Sequence, residues 1–291
     1  MKLVKNTLLV GIIFAGITSC NFNKSVSKDF ITGITTKGDG LSAESVYVTI
    51  NNEKVSDDEF YYGQNIITNF ENMDGFVVEN NTYYPKMQVV LVSKKGDTIM
   101  HEPDLLKDNT GFDASLKTLT GNMILARPIY SGEDYTMYYT ITDKKGPGKF
   151  SSELKFDLLH DPSIKVTKKG LDFKEGYLMS LTKSDIIINS KVTFEEQILM
   201  DFQDISGYKS SNGQVALGLK IKVVDDANTV ILDMDDAFNG KQMNENEIRS
   251  GVGAQLQLTK GRLKNPVNFQ VTIWDKNSDA KLMAETEITV E

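Results

Sequence analysis

The chain has 291 residues, of which 40% are hydrophobic, with one cysteine, two histidines and a formal net charge of −8. This acidic balance disfavours nucleic acid and anionic membrane surfaces as partners, because both carry negative charge themselves. A single cysteine excludes an intrachain disulfide, and two isolated histidines supply no set of zinc ligands.

The first 19 residues have the layout of a secretory signal, with two early lysines, an apolar run at 8–17 and small residues before Cys20. The run Ile17-Thr18-Ser19-Cys20 resembles the lipobox of bacterial lipoproteins. That resemblance implies that Cys20 is the lipidated first residue of the mature protein and that residues 20–28 are a short tether. The alternative is a soluble protein in which this cysteine is incidental.

A lipoprotein cysteine carries more than one acyl chain, such as palmitate, and two or more chains hold a protein stably on a bilayer. No other apolar stretch reaches the roughly 18 residues that a spanning helix needs. We therefore expect an extracytoplasmic protein attached to the membrane through its lipid. The residues after Cys20 lack an acidic export cluster and an inner-membrane retention Asp, which favours the periplasmic face of an outer membrane over the cell surface.

The rest of the sequence repeats itself at an offset of 132 positions. NFENMDGF at 69–76 recurs as DFQDISGY at 201–208, and YTMYYTITDK at 135–144 recurs as VNFQVTIWDK at 267–276. A repeat of this length indicates a duplicated domain, because solenoid units are shorter. We predict one domain at 29–160 and a second at 161–291.

Apolar and polar residues alternate within each copy, as they do in strands with one buried face. The apolar positions are Tyr135, Met137, Tyr139 and Ile141 in the first copy and Val267, Phe269, Val271 and Ile273 in the second. Turn signals such as Lys95-Gly96-Asp97 separate the runs. The final pair of strands resembles the last hairpin of immunoglobulin-like repeats in bacterial envelope proteins. The predicted fold is all-β, with two tandem antiparallel immunoglobulin-like sandwiches.

The repeated loop pattern has a structural and a functional interpretation. Its members are Phe70, Gly75 and Phe76 in the first copy and Phe202, Gly207 and Tyr208 in the second. In the structural interpretation the phenylalanines enter the core and the glycines adopt a backbone conformation that is costly for other residues. The alternative is a ligand loop presented twice. We favour the structural interpretation, since packing and turn chemistry explain every residue type.

No pattern in the sequence points to catalysis. Phosphate-binding loops and nucleophile elbows are absent, and His101 and His160 each stand alone. The acidic run at 233–236 suggests calcium, but Ala237 occupies the position where a third ligand belongs, so we expect a capped turn there. The sequence therefore predicts a non-enzymatic protein without a cofactor or metal.

Five aromatic residues are candidates for ligand contact, namely Tyr61, Tyr62, Tyr83, Tyr84 and Trp274. Adjacent residues on a strand point to opposite faces, so one tyrosine of each pair is expected at the surface, where it could stack on a sugar ring. Sandwich domains after a lipidated cysteine resemble outer-membrane starch-binding lipoproteins, which implies glycan binding. The other interpretation is that these tyrosines are structural strand residues.

Our prediction is a membrane-anchored envelope lipoprotein that serves as a binding or structural module, as an accessory subunit of an envelope complex. Glycan binding is the alternative. A glycan binder requires coplanar exposed aromatic rings in one shallow groove, whereas a complex subunit requires an apolar patch or an open edge strand. An enzyme would require a deep pocket in which carboxylates or His101 converge.

Overall fold

The computed structural model describes residues 24–28, 33–261 and 263–291. The predicted signal segment and Cys20 lie outside these residues. Within the described ranges, no helix is both long and apolar enough to cross a membrane.

The first half of the chain contains β1 (Lys24–Lys28), β2 (Thr35–Asp39), β3 (Ser45–Ile50), β4 (Glu53–Val55), β5 (Glu59–Tyr61), β6 (Asn65–Glu71), β7 (Thr82–Tyr83), β8 (Pro85–Ser93), β9 (Thr98–Glu102), β10 (Phe112–Asp113), β11 (Leu119–Ile124), β12 (Glu133–Asp143) and β13 (Lys149–Leu159).

The second half contains β14 (Lys165–Lys169), β15 (Glu175–Ser180), β16 (Asp185–Ile186), β17 (Lys191–Val192), β18 (Gln197–Gln203), β19 (Ser210–Ser211), β20 (Gln214–Val215), β21 (Leu217–Asp225), β22 (Val230–Met234), β23 (Met243–Asn244), α1 (Glu245–Ser250), β24 (Val252–Gln257), β25 (Val267–Asp275) and β26 (Lys281–Val290).

Each half is an antiparallel sandwich of two main sheets, with one small separate sheet beside them, β10-β7 in the first half and β19-β20-β23 in the second. In the first half, one sheet has the order β1-β2-β13-β12-β8-β9 and the other has the order β11-β6-β3-β4. The second half repeats this arrangement, with β14-β26-β25-β21-β22 facing β16-β15-β18-β24. In both halves a short strand, β5 or β17, also pairs in parallel with the last strand. This division of strands between two sheets is that of immunoglobulin-like sandwiches, so the predicted fold class is confirmed.

The strands of the two halves correspond at the predicted offset. Subtracting first residues gives 132 for β8 and β21, for β6 and β18, and for β9 and β22. The offset falls to 130 for β3 and β15, near the start of each copy. The apolar positions of β12 and β25 point inward, and Phe70 and Phe202 are both fully buried in their respective cores.

Two elements differ from the expectations. Lys24–Lys28, within the predicted tether, forms β1 because it pairs along β2. The short helix α1 begins after Asn244, whose side chain accepts from the Glu247 amide while the Glu247 side chain accepts from the Asn244 amide. Six residues are too few for a helical period to be visible in the sequence.

Candidate functional site

The repeated loop has the same geometry in both halves. Gly75 has φ +95°, and a Cβ added there would lie 2.1 Å from the carbonyl oxygen of Gly40. Gly207 has φ +85°, and the same construction places its Cβ 2.0 Å from the carbonyl oxygen of Gly170. Each loop therefore fits against the start of its own sandwich only when it carries glycine.

The aromatic members of the loop are used in packing. The Phe76 ring lies 4.7 Å from the ring of Tyr83, and Tyr208 is partly buried against the second core. Asp143 accepts hydrogen bonds from the amides of Val77 and Lys145, and Asp275 accepts from the corresponding amides of the second half. These contacts account for the loop residues without a ligand.

Asp104 and Asp236 occupy equivalent positions and have equivalent partners. Asp104 accepts from the Met87 and Leu106 amides at 3.2 and 3.0 Å and pairs with Lys144. Asp236 accepts from the Leu219 and Phe238 amides at 3.3 and 3.1 Å, and its partner Lys276 lies at 2.6 Å. Burial alone would raise the pKa of each carboxyl, but these donors outweigh it and lower both.

The acidic run therefore contributes a turn cap. Within the described ranges, no group of three or more His, Cys, Asp or Glu side chains is placed to hold a metal ion. His101 lies at the surface, where its Nε2 is 2.8 Å from Nε2 of Gln88.

The five aromatic candidates do not form one platform. Tyr62 and Tyr83 are buried; the Tyr62 hydroxyl accepts from the Arg127 amide, and the Tyr83 hydroxyl donates to the Leu116 carbonyl. Tyr61, Tyr84 and Trp274 are half-buried. Tyr61 and Tyr84 belong to the first sandwich and Trp274 to the second, where the six-membered ring of Trp274 covers Gly218 on the neighbouring strand.

An open groove of about 510 Å³ lies on the outer face of the first sandwich, across β8, β12 and β13. Tyr138 is its exposed aromatic residue, and Lys94 pairs with Asp134 at its rim. Burial, with Asp134 and Asp58 nearby, raises the pKa of Asp157 in the same groove. We expect a typical glycan platform to present several coplanar exposed rings, whereas this groove presents one exposed ring among charged groups.

A cluster that the sequence did not reveal joins the two sandwiches. Glu175, fully buried on β15, accepts from the Ser131 amide at 2.7 Å and from the Ser131 hydroxyl at 2.8 and 2.9 Å. The Gly176 amide donates to the same carboxylate at 3.0 Å, and Nδ1 of His160 lies 3.4 Å from it. The Ser131 hydroxyl also lies 2.5 Å from Nδ1 of His160, so one histidine nitrogen faces both the hydroxyl and the carboxylate. A nucleophilic triad instead links serine and carboxylate through the two different nitrogens of the histidine, so this arrangement satisfies a buried carboxylate and lacks the order of a triad.

Apolar contacts surround that cluster. The Tyr62 and Tyr177 rings lie 5.5 Å apart, and Ile186 of the second half packs on Gly63, where an added Cβ would lie 2.3 Å from its side chain. Lys174 lies 3.7 Å above the centre of the Tyr130 ring. Burial is the main cause that raises the pKa of the Tyr62 hydroxyl to about 12. The two sandwiches therefore share a packed joint.

The outer edges of the large sheets differ in character. The second sandwich ends on one side at β14, whose exposed residues include Lys165, Lys168 and Lys169, a charged edge of the kind that prevents unwanted strand pairing. It ends on the other side at β22, whose exposed apolar residues are Val230 at 54%, Ile231 at 40% and Met234 at 43%. The equivalent strand of the first sandwich, β9, has Thr98, Ile99 and Glu102 at those positions. Of the edges at β9, β14 and β22, the β22 edge has the most exposed apolar side chains.

No known family model matches the chain, and no curated protein matches it. Among solved structures, pT26-6p is 7% identical over 92% of this chain and 66% of its own, with a TM-score of 0.25. The fibronectin(III)-like modules of Clostridium thermocellum CbhA are 13% identical over 84% of this chain and 94% of theirs, with a TM-score of 0.20. A Bacteroides uniformis β-glucuronidase is 7% identical over 78% of this chain and 26% of its own, with a TM-score of 0.26. The immunoglobulin-like fold is shown by the strand order of the two sandwiches.

Proposed function

We propose that this chain is a lipid-anchored envelope protein that acts without catalysis, as an accessory subunit of an envelope complex. The observation that carries the proposal is the apolar edge of β22, where three large apolar side chains face solvent on a strand whose outer side pairs with no other described strand. Exposed apolar surface and open edges are features of protein interaction sites.

Two further features support this function. The lipobox-like run ending at Cys20 would hold the protein on the membrane, on the periplasmic face of the outer membrane in our proposal. The joint around Glu175 connects the two sandwiches through buried polar and apolar contacts. A partner bound at the second sandwich would therefore be held by the anchored first sandwich with little freedom between them.

Affinity capture from the native envelope tests the proposal. The full-length protein and a Cys20→Ala variant are crosslinked before extraction, and the captured proteins are identified by mass spectrometry. We expect a stoichiometric membrane-associated partner with the native chain and its loss with the variant, which should also leave the membrane fraction. A native chain that remains in the membrane fraction but captures no partner would contradict the proposal.

Glycan binding remains a second candidate because of the groove that holds Tyr138 beside the Lys94–Asp134 pair. A tyrosine face and charged hydrogen-bonding groups are the groups that contact a sugar ring and its hydroxyls. We expect a polysaccharide retained by the native protein to be released by Tyr138→Ala but not by Tyr84→Ala. Equal retention by both variants would remove this groove as the binding site.

A further inference from the structure

We propose that β22 binds its partner by strand addition: an extended segment of the partner pairs antiparallel with Val230–Met234 and continues the sheet of the second sandwich. The segment carries apolar residues at alternate positions and a lysine or arginine close to them. This inference rests on the proposed function and specifies the binding mode and the chemistry of the partner.

The backbone of β22 is open on one side within the described residues. One side of β22 pairs with β21, from Ile221 opposite Met234 to Val224 opposite Val230, and the sheet order ends at β22 within the described part of the chain. A terminal strand presents backbone N–H and C=O groups on its outer side. An extended peptide can pair with those groups, and its side chains then set the specificity.

The two copies differ in the side chains at the ends of this strand. The first and last positions of this strand are Thr98 and Glu102 in β9 and Val230 and Met234 in β22. The polar residues of β9 and the lysines of β14 discourage pairing with another chain, whereas the residues of β22 add apolar contact to it. Of these three edges, only β22 combines an open backbone with exposed apolar side chains.

Charge decides between a different partner and a second copy. Residues 225–236 contain five aspartates and no lysine or arginine. Lys220 pairs with Asp233 and Asp235, Lys276 pairs with Asp236, and Lys222 lies opposite Asp233. The edge therefore has an excess of negative charge, which repels another copy of itself and attracts a strand with basic residues.

Site-specific photo-crosslinking in the native envelope tests the pairing directly. Val230→benzoylphenylalanine and Met234→benzoylphenylalanine place the probe on β22, and the same replacement at Thr98 and Glu102 provides the matched control on β9. We expect the two β22 probes to label one partner peptide at two residues that are four positions apart. Because the pairing is antiparallel, the residue labelled from Val230 should follow the residue labelled from Met234 in the partner's sequence. The β9 probes should not label this peptide. Labels scattered over the partner, labels on β22 of another copy, or equal labelling from β9 would overturn the inference.

A charge variant provides a second readout. Val230→Lys with Met234→Lys gives β22 a lysine-bearing edge like β14, and Thr98→Lys with Glu102→Lys makes the same change on β9. We expect the β22 variant to lose partner capture by roughly tenfold or more, since two desolvated lysines oppose a basic apolar strand, while the β9 variant keeps it. Thermal unfolding checks that both variants are folded.

The two proposals fail in distinguishable ways. A partner that the native chain captures and the β22 variant still captures would overturn strand addition but leave the accessory function in place. A native chain that captures no partner would overturn both.

Discussion

Ser131 of the first sandwich donates its backbone amide and its hydroxyl to one carboxylate, that of Glu175 on the second, at distances of 2.7 to 2.9 Å. Glu175 is fully buried, so the loss of a donor leaves a buried carboxylate oxygen with fewer hydrogen bonds, which costs stability. We expect Ser131→Ala to lower the free energy of unfolding by about 1–3 kcal/mol, as measured by urea denaturation.

Ser210→Ala is the matched control for that experiment, because Ser210 is exposed on β19. It should change the free energy of unfolding by no more than about 0.5 kcal/mol. If both variants behave alike, the contact between Ser131 and Glu175 does not stabilise the folded chain.

The repeated glycines should resist substitution equally in both halves. In Gly75→Ala or Gly207→Ala the new Cβ would overlap a carbonyl oxygen at about 2 Å and also hold a positive φ. We expect each variant to lose at least about 2 kcal/mol of stability, because backbone strain and overlap add together. Urea denaturation measures the loss.

A Gly96→Ala variant distinguishes the cost of a positive φ from the cost of the overlap with a carbonyl oxygen. It has φ +91°, close to that of Gly75, but nothing lies within 4 Å of an added Cβ. Gly96→Ala should therefore show the cost of the backbone conformation alone, about 1–2 kcal/mol. An equal loss at Gly75 and Gly96 would show that the contact with Gly40 is unimportant.

Glu196 should make stability depend on acid. Burial would raise its pKa, but Lys183 and Thr193 donate to its carboxylate at 2.8 and 2.9 Å and outweigh burial, so the pKa falls to about 2 from an ordinary 4.5. A lowered folded-state pKa contributes stability above about pH 4.5 that is lost as the pH falls towards 2. The difference between the two pKa values corresponds to roughly 3 kcal/mol.

Urea denaturation between pH 7 and pH 2.5 checks this contribution. The native protein should lose more stability over that range than Glu196→Gln does, by up to roughly 3 kcal/mol. Glu287→Gln, at an exposed position of β26, should track the native protein. Parallel curves for the native protein and Glu196→Gln would contradict the assignment.

Gly218 and Trp274 form a cross-strand pair in which the indole covers the glycine. An added Cβ in Gly218→Ala would lie 2.1 Å from the ring, and the side chain of Trp274 can swing outward to avoid it. We expect the emission of this single tryptophan to move to longer wavelength and its quenching by acrylamide to increase, with the fold retained. Gly213→Ala, where no atom lies near an added Cβ, should leave both signals unchanged.

Periodicity was sufficient to predict the strands and the sandwich fold, because alternation reports which face of a strand meets its own core. The inward positions of β12, such as Met137 and Ile141, are buried as predicted. The offset between the copies was visible for the same reason: equivalent strands need equivalent patterns. Helix α1 was not predicted, since its cap pair Asn244 and Glu247 occurs in a stretch without an apolar period.

Contacts between the two sandwiches could not be predicted in this way. Alternation places Tyr61 and Tyr62 on different faces, but it cannot show that Tyr177 from the other half covers Tyr62. Glu175 is likewise ordinary in the sequence, because a carboxylate becomes notable only when burial and its donors are known. The sequence predicted an apolar patch or an open edge strand for a complex subunit, but it could not identify β22. Sheet order decides which strand has an open side, and sheet order is known only from the structure.

The difference between β9 and β22 has an evolutionary consequence. Exposed side chains such as Val230 and Met234 can change with about 0.5 kcal/mol or less of effect on folding, whereas Gly75 and Gly207 are held by contacts that no other residue satisfies. In the proposed binding mode, mutations that alter recognition and mutations that alter folding therefore fall on separate residues. If the β22 edge binds a partner as proposed, that edge can follow changes in the partner's sequence while β9 keeps its more polar residues.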